Sequence, residues 1–437
     1  MKRILIPEDI PSHNKGEAAL LYGMLESLRR LGSIEVNLFS LNPIEDKANY
    51  GNVVKIFDAR GITPAHMISG QGSILKKGIN YVIFLGKNIA FLLLFKMIGK
   101  QALKIMRREI WSAYLDADLV IMGHDSFFAP LYHGPLLLLF KALHKPAVIY
   151  AATIIPPSHA GSSVKSKIAM WLTREALKKA ALITLRERQT YEYLIQLGLG
   201  DNASKIHICA DLAFLMPPVP KSRVTDILNN EGIAGDGPMV GMAISMRKID
   251  FAFPESGLLE DRRSKVLSQI VDVVNYITGM LKAKVVFVPH SIGPTRKLDD
   301  RIPARQIFEK AQHRDRITVM HKEYSPRELK GIAGAFDITV GMRLHFAIDA
   351  VCMAIPSILI THKGDFRCHG IMGDMLGLKE YLYNIESISA KELIPMIKKL
   401  WDNRLHVQDK LKETLPTLKD EALRNGQLVS KVLVGTL

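Results

Sequence analysis

Phe336-Asp337-Ile338-Thr339-Val340 runs directly into Gly341-Met342-Arg343-Leu344-His345, and apolar residues at helical spacing follow from Phe346 to Ala354. A short β-branched run, a glycine turn and then a helical period predict a strand feeding a helix, with Arg343 and His345 in the connecting loop. Open α/β sheets place their ligands beyond the carboxyl ends of strands, so this unit decides both the fold and where to look for chemistry. The free N–H groups of a first helical turn favour an anion. Arg343 adds a permanent charge on a planar fork, and a histidine such as His345 moves a proton near neutral pH. Carboxylate or phosphate is the implied ligand. The same residues also admit a structural reading, with Arg343 paired to a nearby carboxylate and His345 hydrogen-bonded in a loop.

Outward from this unit the chain alternates strand-like runs with helical patterns. In the first half Arg3–Ile6, Ile34–Leu41, Val53–Phe57, Leu119–Met122, Ala147–Ala151, Leu182–Leu185 and Ile206–Cys209 read as strands, with helices at Glu17–Leu31, Pro135–His144, Ser163–Lys179 and Arg188–Leu197. The rhythm breaks from Asp211 through Gly237, a proline- and glycine-containing stretch, and restarts with strands at Met239–Ser245, Val285–Val288, Ile317–Met320, Ile338–Val340 and Ser357–Ile360. Such alternation predicts mostly parallel, doubly wound sheets. The expected organisation is therefore a Rossmann-like domain over 1–215 with a helical insert at about 61–110, a junction at 216–237, and a second Rossmann-like domain over 238–437. The tail from Ala390 to Val434 reads as helical, with part of it crossing back onto the first domain. A length of 437 residues fits two cores of roughly 200 residues each.

Several segments besides Gly341–His345 carry a shared pattern. They are Ser12-His13-Asn14-Lys15-Gly16-Glu17, Ala117–Gly123, Lys145–Tyr150, Arg186 in Ile183–Arg188, Asp211, Val285-Val286-Phe287-Val288-Pro289-His290-Ser291-Ile292-Gly293-Pro294, Tyr324–Leu329 and Ala354–Ile360. In order and spacing they resemble the polysaccharide pyruvyl transferase family. The resemblance implies two doubly wound Rossmann-like domains facing a cleft, similar to the GT-B glycosyltransferase architecture, with the acceptor on the first domain and the donor on the second. It implies a reaction in which phosphoenolpyruvate gives a three-carbon unit to two hydroxyls of one sugar, forming a cyclic ketal in cell-surface polysaccharide synthesis. His345 is then the general acid and Arg343 the anion clamp. Asn14, Gly16, Arg186, His290 and Leu344 are binding positions. Two departures stand out. Where the family carries paired glycines this chain has Gly123-His124-Asp125, making His124 and Asp125 candidates on the acceptor side; where the family shows a tyrosine and a lysine, Thr361–Arg367 offers Lys363 or Arg367 as the cation.

Charge separates the partner classes. Lys and Arg number 58 against 43 Asp and Glu, a net charge of +15, which favours anionic partners. Gly61 to Arg108 holds no acid, while Lys76, Lys77, Lys87, Lys96, Lys100, Lys104, Arg107 and Arg108 fall within it. Tyr81–Leu85 and Ile89–Phe95 interleave those lysines with dense apolar runs. Lysines inside the run argue against a spanning helix, and a helix lying in the interface of an anionic membrane is expected instead. A buried helix with snorkelling lysines is the other reading. No nucleic-acid signature is present. Cys209, Cys352 and Cys368 have neither disulfide nor zinc spacing, and the N-terminus lacks a secretory apolar region, so a reduced, cytoplasmic location on the inner membrane face is expected.

His362, Cys368 and His369 lack metal-ligand spacing, so no metal and no cofactor are expected beyond phosphoenolpyruvate as donor. The expected acceptor is a sugar nucleotide or a lipid-linked oligosaccharide. Two other functions fit the same layout: glycosyl transfer from a nucleotide sugar, and a non-catalytic glycan- or anion-binding scaffold. Oligomeric state is not legible in the sequence.

Overall fold

A computed structural model describes residues 1–60, 74–106, 109–125, 128–156, 164–233, 237–253, 259–293 and 295–435. Of the basic segment, 61–73, Arg107 and Arg108 lie outside the described residues, as do Ser126, 234–236 of the junction and Pro294. The chain forms two compact units. One comprises Met1–Ser12, Met24–Ala210 and Glu421–Leu437; the other comprises His13–Gly23 and Asp211–Asp420.

The first unit is built on seven parallel strands: β1 (Lys2–Ile6), β2 (Ile34–Ser40), β3 (Lys55–Asp58), β4 (Leu119–Met122), β5 (Ala147–Ala152), β6 (Leu182–Leu185) and β7 (Ile206–Ile208). Their order is β3-β2-β1-β4-β5-β6-β7. Every residue of β4, β5 and β6 is buried, which is why these strands read as apolar runs, broken only by Thr184, rather than as alternating ones. The long helix Ile74–Ile98 within the β3–β4 connection docks through Phe84 and Phe91. Phe91 stacks on Trp111 at 4.6 Å between centroids, an aromatic pair worth about 1 kcal/mol beyond its buried area. From the C-terminal segment Arg424 and Asn425 donate to the carbonyls of Ile208 and Ala210 at 3.3 Å.

The second unit holds six parallel strands: β8 (Met239–Ala243), β9 (Lys284–Phe287), β10 (Ile317–Val319), β11 (Ile338–Gly341), β12 (Ser357–Thr361) and β13 (Leu382–Asn384). The order β10-β9-β8-β11-β12-β13 is the 3-2-1-4-5-6 winding of a dinucleotide-binding sheet, whose direction reverses between β8 and β11. β13, Leu382-Tyr383-Asn384, is absent from the sequence reading because it lacks the β-branched residues that mark the equally short β7 and β10. Two boundaries differ from the sequence reading. The second unit begins at Asp211, ahead of the proline-rich stretch, with the Asp211 carboxylate accepting from Ala213 N at 2.8 Å to cap the turn Leu212–Leu215. The segment His13–Gly23, including the start of the helix Lys15–Leu28, groups with the second unit rather than the first. A β-bridge from Asn14 to Ser291 and a bond from Lys15 N to His290 O tie it there.

Candidate functional site

In the second unit Arg343 and His345 stand at the reversal between β8 and β11. Arg343 is the N-cap of the helix Leu344–Cys352, so His345 stands in the helix's first turn rather than in a loop. Arg343 donates from Nε and Nη2 to the two carboxylate oxygens of Asp300, at 3.1 and 2.6 Å. Asp300 Oδ2 also accepts from the backbone N–H groups of His290 and Ser291, at 3.1 and 3.0 Å. Burial raises the Asp300 carboxyl above its ordinary value, and the guanidinium beside it pulls only part of the way back. A buried carboxylate thus grips one edge of the fork. Among the described residues Nη1 makes no hydrogen bond, so the end of the fork, Nη1 with the second proton of Nη2, remains for a bidentate carboxylate or phosphate.

The segment from the chain's start completes this unit. Gly16 lies so close to His345 that a Cβ built there would fall on the imidazole Nδ1 and within 2.9 Å of Cγ. Only glycine permits that approach. Gly16→Ala is therefore expected to displace the ring and lower turnover at least tenfold while thermal stability changes little; steady-state rates beside a melting curve check this. Asn14 Nδ2 donates to Glu17 at 2.6 Å, and Lys15 forms an ion pair with Glu323. His290 Nε2 lies 3.3 Å from Asp349 Oδ2, with both side chains buried and Phe346 edge-on to the imidazole at 5.0 Å. That pair fastens the loop after β9 to the helix carrying His345. Leu344 is buried at the same helix start.

Lys363 and Arg367 divide. Lys363 is exposed, whereas Arg367 lies 3.0 Å from Asp365, which also takes Lys248 at 2.6 Å. Burial raises the Asp365 carboxyl, but Arg367 and Lys248 outweigh it and hold the group well below the usual carboxylate range. Arg367 is thus tied up in a buried ion cluster. Lys363 stands in solvent.

The first unit places its remaining candidates differently from the sequence reading. The two acceptor-side candidates, His124 and Asp125, each hold a different partner. His124 Nδ1 sits 2.7 Å from Glu8 Oε2, and His133 Nε2 lies 3.0 Å from Glu8 Oε1. Gly123, at φ +76°, donates its N–H to the same carboxylate. Asp125 instead accepts from Arg186 Nη2 at 2.5 Å, while Arg186 Nε donates to Thr153 at 2.8 Å. Arg186 is 0% exposed, with Glu187 buried beside it. Its charge lies inside a buried network rather than on an open binding surface. His124 joins the end of β4 to Glu8, just past the neighbouring β1, whereas Asp125 pairs from the end of β4 past β5 to Arg186 after β6.

Glu8 is the centre of the first cluster. Burial pushes its carboxyl up, yet His133 and His124 outweigh burial and hold it at about 2. A depressed carboxyl contributes stability that is fully present above its ordinary 4.5 and is lost as pH falls towards 2. Glu8→Gln is expected to cost about 3 kcal/mol near neutral pH and to flatten stability between pH 4.5 and 2, read by denaturant unfolding across that window.

Sequence reasoning passed over Glu8, His133, Asp300 and Asp349. Asp349 had a usable signal, an acid inside the apolar run Phe346–Val351, which belongs there only if paired. His133 stands in the apolar helix Pro130–Ala142 in the same way. Among the described residues no group of three or more His, Cys, Asp or Glu is placed to hold a metal ion.

A model of the family described as polysaccharide pyruvyl transferase matches residues 14–364. The chain belongs to that family. The match takes in Asn14, Gly16, His124, Asp125, Arg186, His290, Arg343, Leu344, His345 and Lys363, and leaves out Arg367. The amylovoran biosynthesis protein AmsJ of Erwinia amylovora is 21% identical over 322 residues, covering 72% of each chain. Among solved structures, that of S. aureus MnaA with UDP is similar at a TM-score of 0.60 and 12% identity, covering 100% of this chain and 98% of that one. A putative UDP-N-acetylglucosamine 2-epimerase from Listeria monocytogenes gives 0.59 at 13% identity with the same coverage. The calicheamicin glycosyltransferase CalG4 gives 0.50 at 11%, covering 99% and 98%. The pyruvyl transferase chain thus has a Rossmann-like architecture of the GT-B type, and at these identities the likeness speaks for fold alone.

Proposed function

We propose that this pyruvyl transferase takes phosphoenolpyruvate as donor and builds a cyclic ketal on two hydroxyls of one sugar. The observation that carries the reading is the Arg343 fork, held on one edge by Asp300, two residues ahead of His345 at the start of a helix. Phosphoenolpyruvate carries both a carboxylate and a phosphate, the two groups that an end-on guanidinium and open helix N–H groups hold best. C3 of the donor takes a proton while the first sugar hydroxyl adds to C2 and releases its own proton. The bond from C2 to the phosphate oxygen then breaks with its electron pair on phosphate, and the second hydroxyl closes the ketal. One hydroxyl proton replaces the one delivered to C3, and the other leaves with phosphate.

His345 delivers the proton to C3, and Arg343 holds the anion as charge shifts towards the leaving phosphate. The acceptor belongs to the sugar nucleotides or lipid-linked saccharides of exopolysaccharide synthesis. The name of AmsJ supports the pathway, and the UDP in the MnaA structure supports a sugar-nucleotide site on this fold. A turnover in deuterium oxide tests the chemistry directly: each ketal methyl should gain one deuterium and each event should release one phosphate. Calorimetric binding of a nucleotide sugar, with neither phosphoenolpyruvate binding nor phosphate release, would move the reading to glycosyl transfer.

A further inference from the structure

The basic apolar segment of the first unit resolves into two faces. The inner face of Ile74–Ile98 is seated, with Phe84, Asn88 and Phe91 buried at spacings of four and three. The opposite face is apolar and in solvent: Ile79, Val82, Ile83, Ile89, Leu93 and Met97 are all exposed, Val82 at 67% and Met97 at 79%. Their spacing keeps them on one stripe of the helix. This helix packs on Pro130–Ala142, which packs in turn on the helix Val164–Leu177. Both neighbours continue the pattern. Leu131 and Leu138 are exposed seven residues apart on the one, and Val164, Ile168 and Trp171 are exposed at steps of four and three on the other. Trp171 is 59% exposed, while Trp111 is buried in the core.

Charge says what covers this surface. The three helices hold a single acid, Glu175, which accepts from Lys178 at 2.8 Å. Lys96, Lys100, Lys141 and Lys167 are exposed on or next to them. We propose that this three-helix face docks flat on an anionic lipid bilayer, its apolar rows and Trp171 in the headgroup boundary and its lysines on the phosphates. Apolar rows rimmed by lysine, with a tryptophan at the boundary and almost no acid, are what an interfacial helix needs. By length and composition Gly78–Met106 is also able to cross a membrane. Crossing would require pulling Phe84 and Phe91 out of the core and breaking the 4.6 Å stack on Trp111, so the helix lies on the bilayer rather than through it.

Flotation of the full chain with phosphatidylglycerol vesicles and with phosphatidylcholine vesicles tests it. Binding to the anionic vesicles should exceed binding to the neutral ones at least tenfold, fall with salt, and be released by alkaline carbonate. Trp171 emission should shift to the blue on the anionic vesicles, and Trp171→Phe should remove that shift. Val82→Glu with Leu93→Glu, both in solvent, should cut binding at least tenfold, as should Lys96→Gln with Lys141→Gln, a second pair whose fold is checked by melting. Equal binding to both vesicles, binding that survives both double variants, or resistance to carbonate would overturn the proposal. So would a concentration-dependent dimer, broken by the glutamate pair, in a chain that ignores vesicles.

Discussion

Arg343→Ala is expected to abolish saturable phosphoenolpyruvate binding and to lower kcat/KM by at least 10²-fold, about 3 kcal/mol of transition-state stabilisation. Two consequences of the geometry separate this result from simple loss of fold. Removing the guanidinium leaves Asp300 buried beside two backbone N–H groups without its cation, and its carboxyl, already raised by burial, is driven further up. The single variant should therefore lose stability as well as activity. Adding Asp300→Asn removes the orphaned charge, so the double variant should regain much of the stability while turnover stays low. Arg343→Lys should recover little. An ammonium has one point of charge where the site uses two edges of a planar fork, one for Asp300 and one for the anion. Calorimetry with phosphoenolpyruvate, phosphate-release rates and unfolding curves on the four proteins decide the matter. Turnover in Arg343→Ala above a tenth of the parent would remove Arg343 from the chemistry.

What the sequence reveals and what it hides follow from how far apart the partners lie along the chain. β4 is read to the residue because a parallel strand covered on both faces is a continuous apolar run with sharp ends, and β6 because its one hydroxyl, Thr184, is itself β-branched. The glycine-led entry to the helix at Arg343 is equally local, and so is legible. Asp300 is not: its pairing with Arg343 joins residues 43 apart, and its sequence neighbours Asp299 and Arg301 read as an ordinary solvated loop. The same holds for Glu8, whose partners stand 116 and 125 residues away. Arg186 shows the reverse case. A charged residue just past a strand end resembles a ligand contact, and only the fold reveals that Asp125 and Thr153 enclose it. The grouping of His13–Gly23 with the second unit escapes sequence reading for another reason. The helix Lys15–Leu28 runs through the boundary with one unbroken apolar pattern, so no turn or breaker marks the place.

His345→Asn separates proton delivery from binding. If the imidazole protonates C3, its loss should cut kcat at least 10²-fold while phosphoenolpyruvate still binds, because Arg343 and Asp300 remain in place. That split is the opposite of the one expected for Arg343→Ala, where binding goes first. The pH profile adds a readout that a merely structural histidine would not move. A rate that needs a protonated imidazole falls on the alkaline side, and the variant's residual rate should lack that limb. Gly16→Ala should stand between the two: the ring is present but pushed from its seat, so the alkaline limb persists on a lowered rate. An unchanged profile in His345→Asn, with kcat within tenfold of the parent, would assign the proton to another group and leave Arg343 as the anion holder of a differently driven reaction.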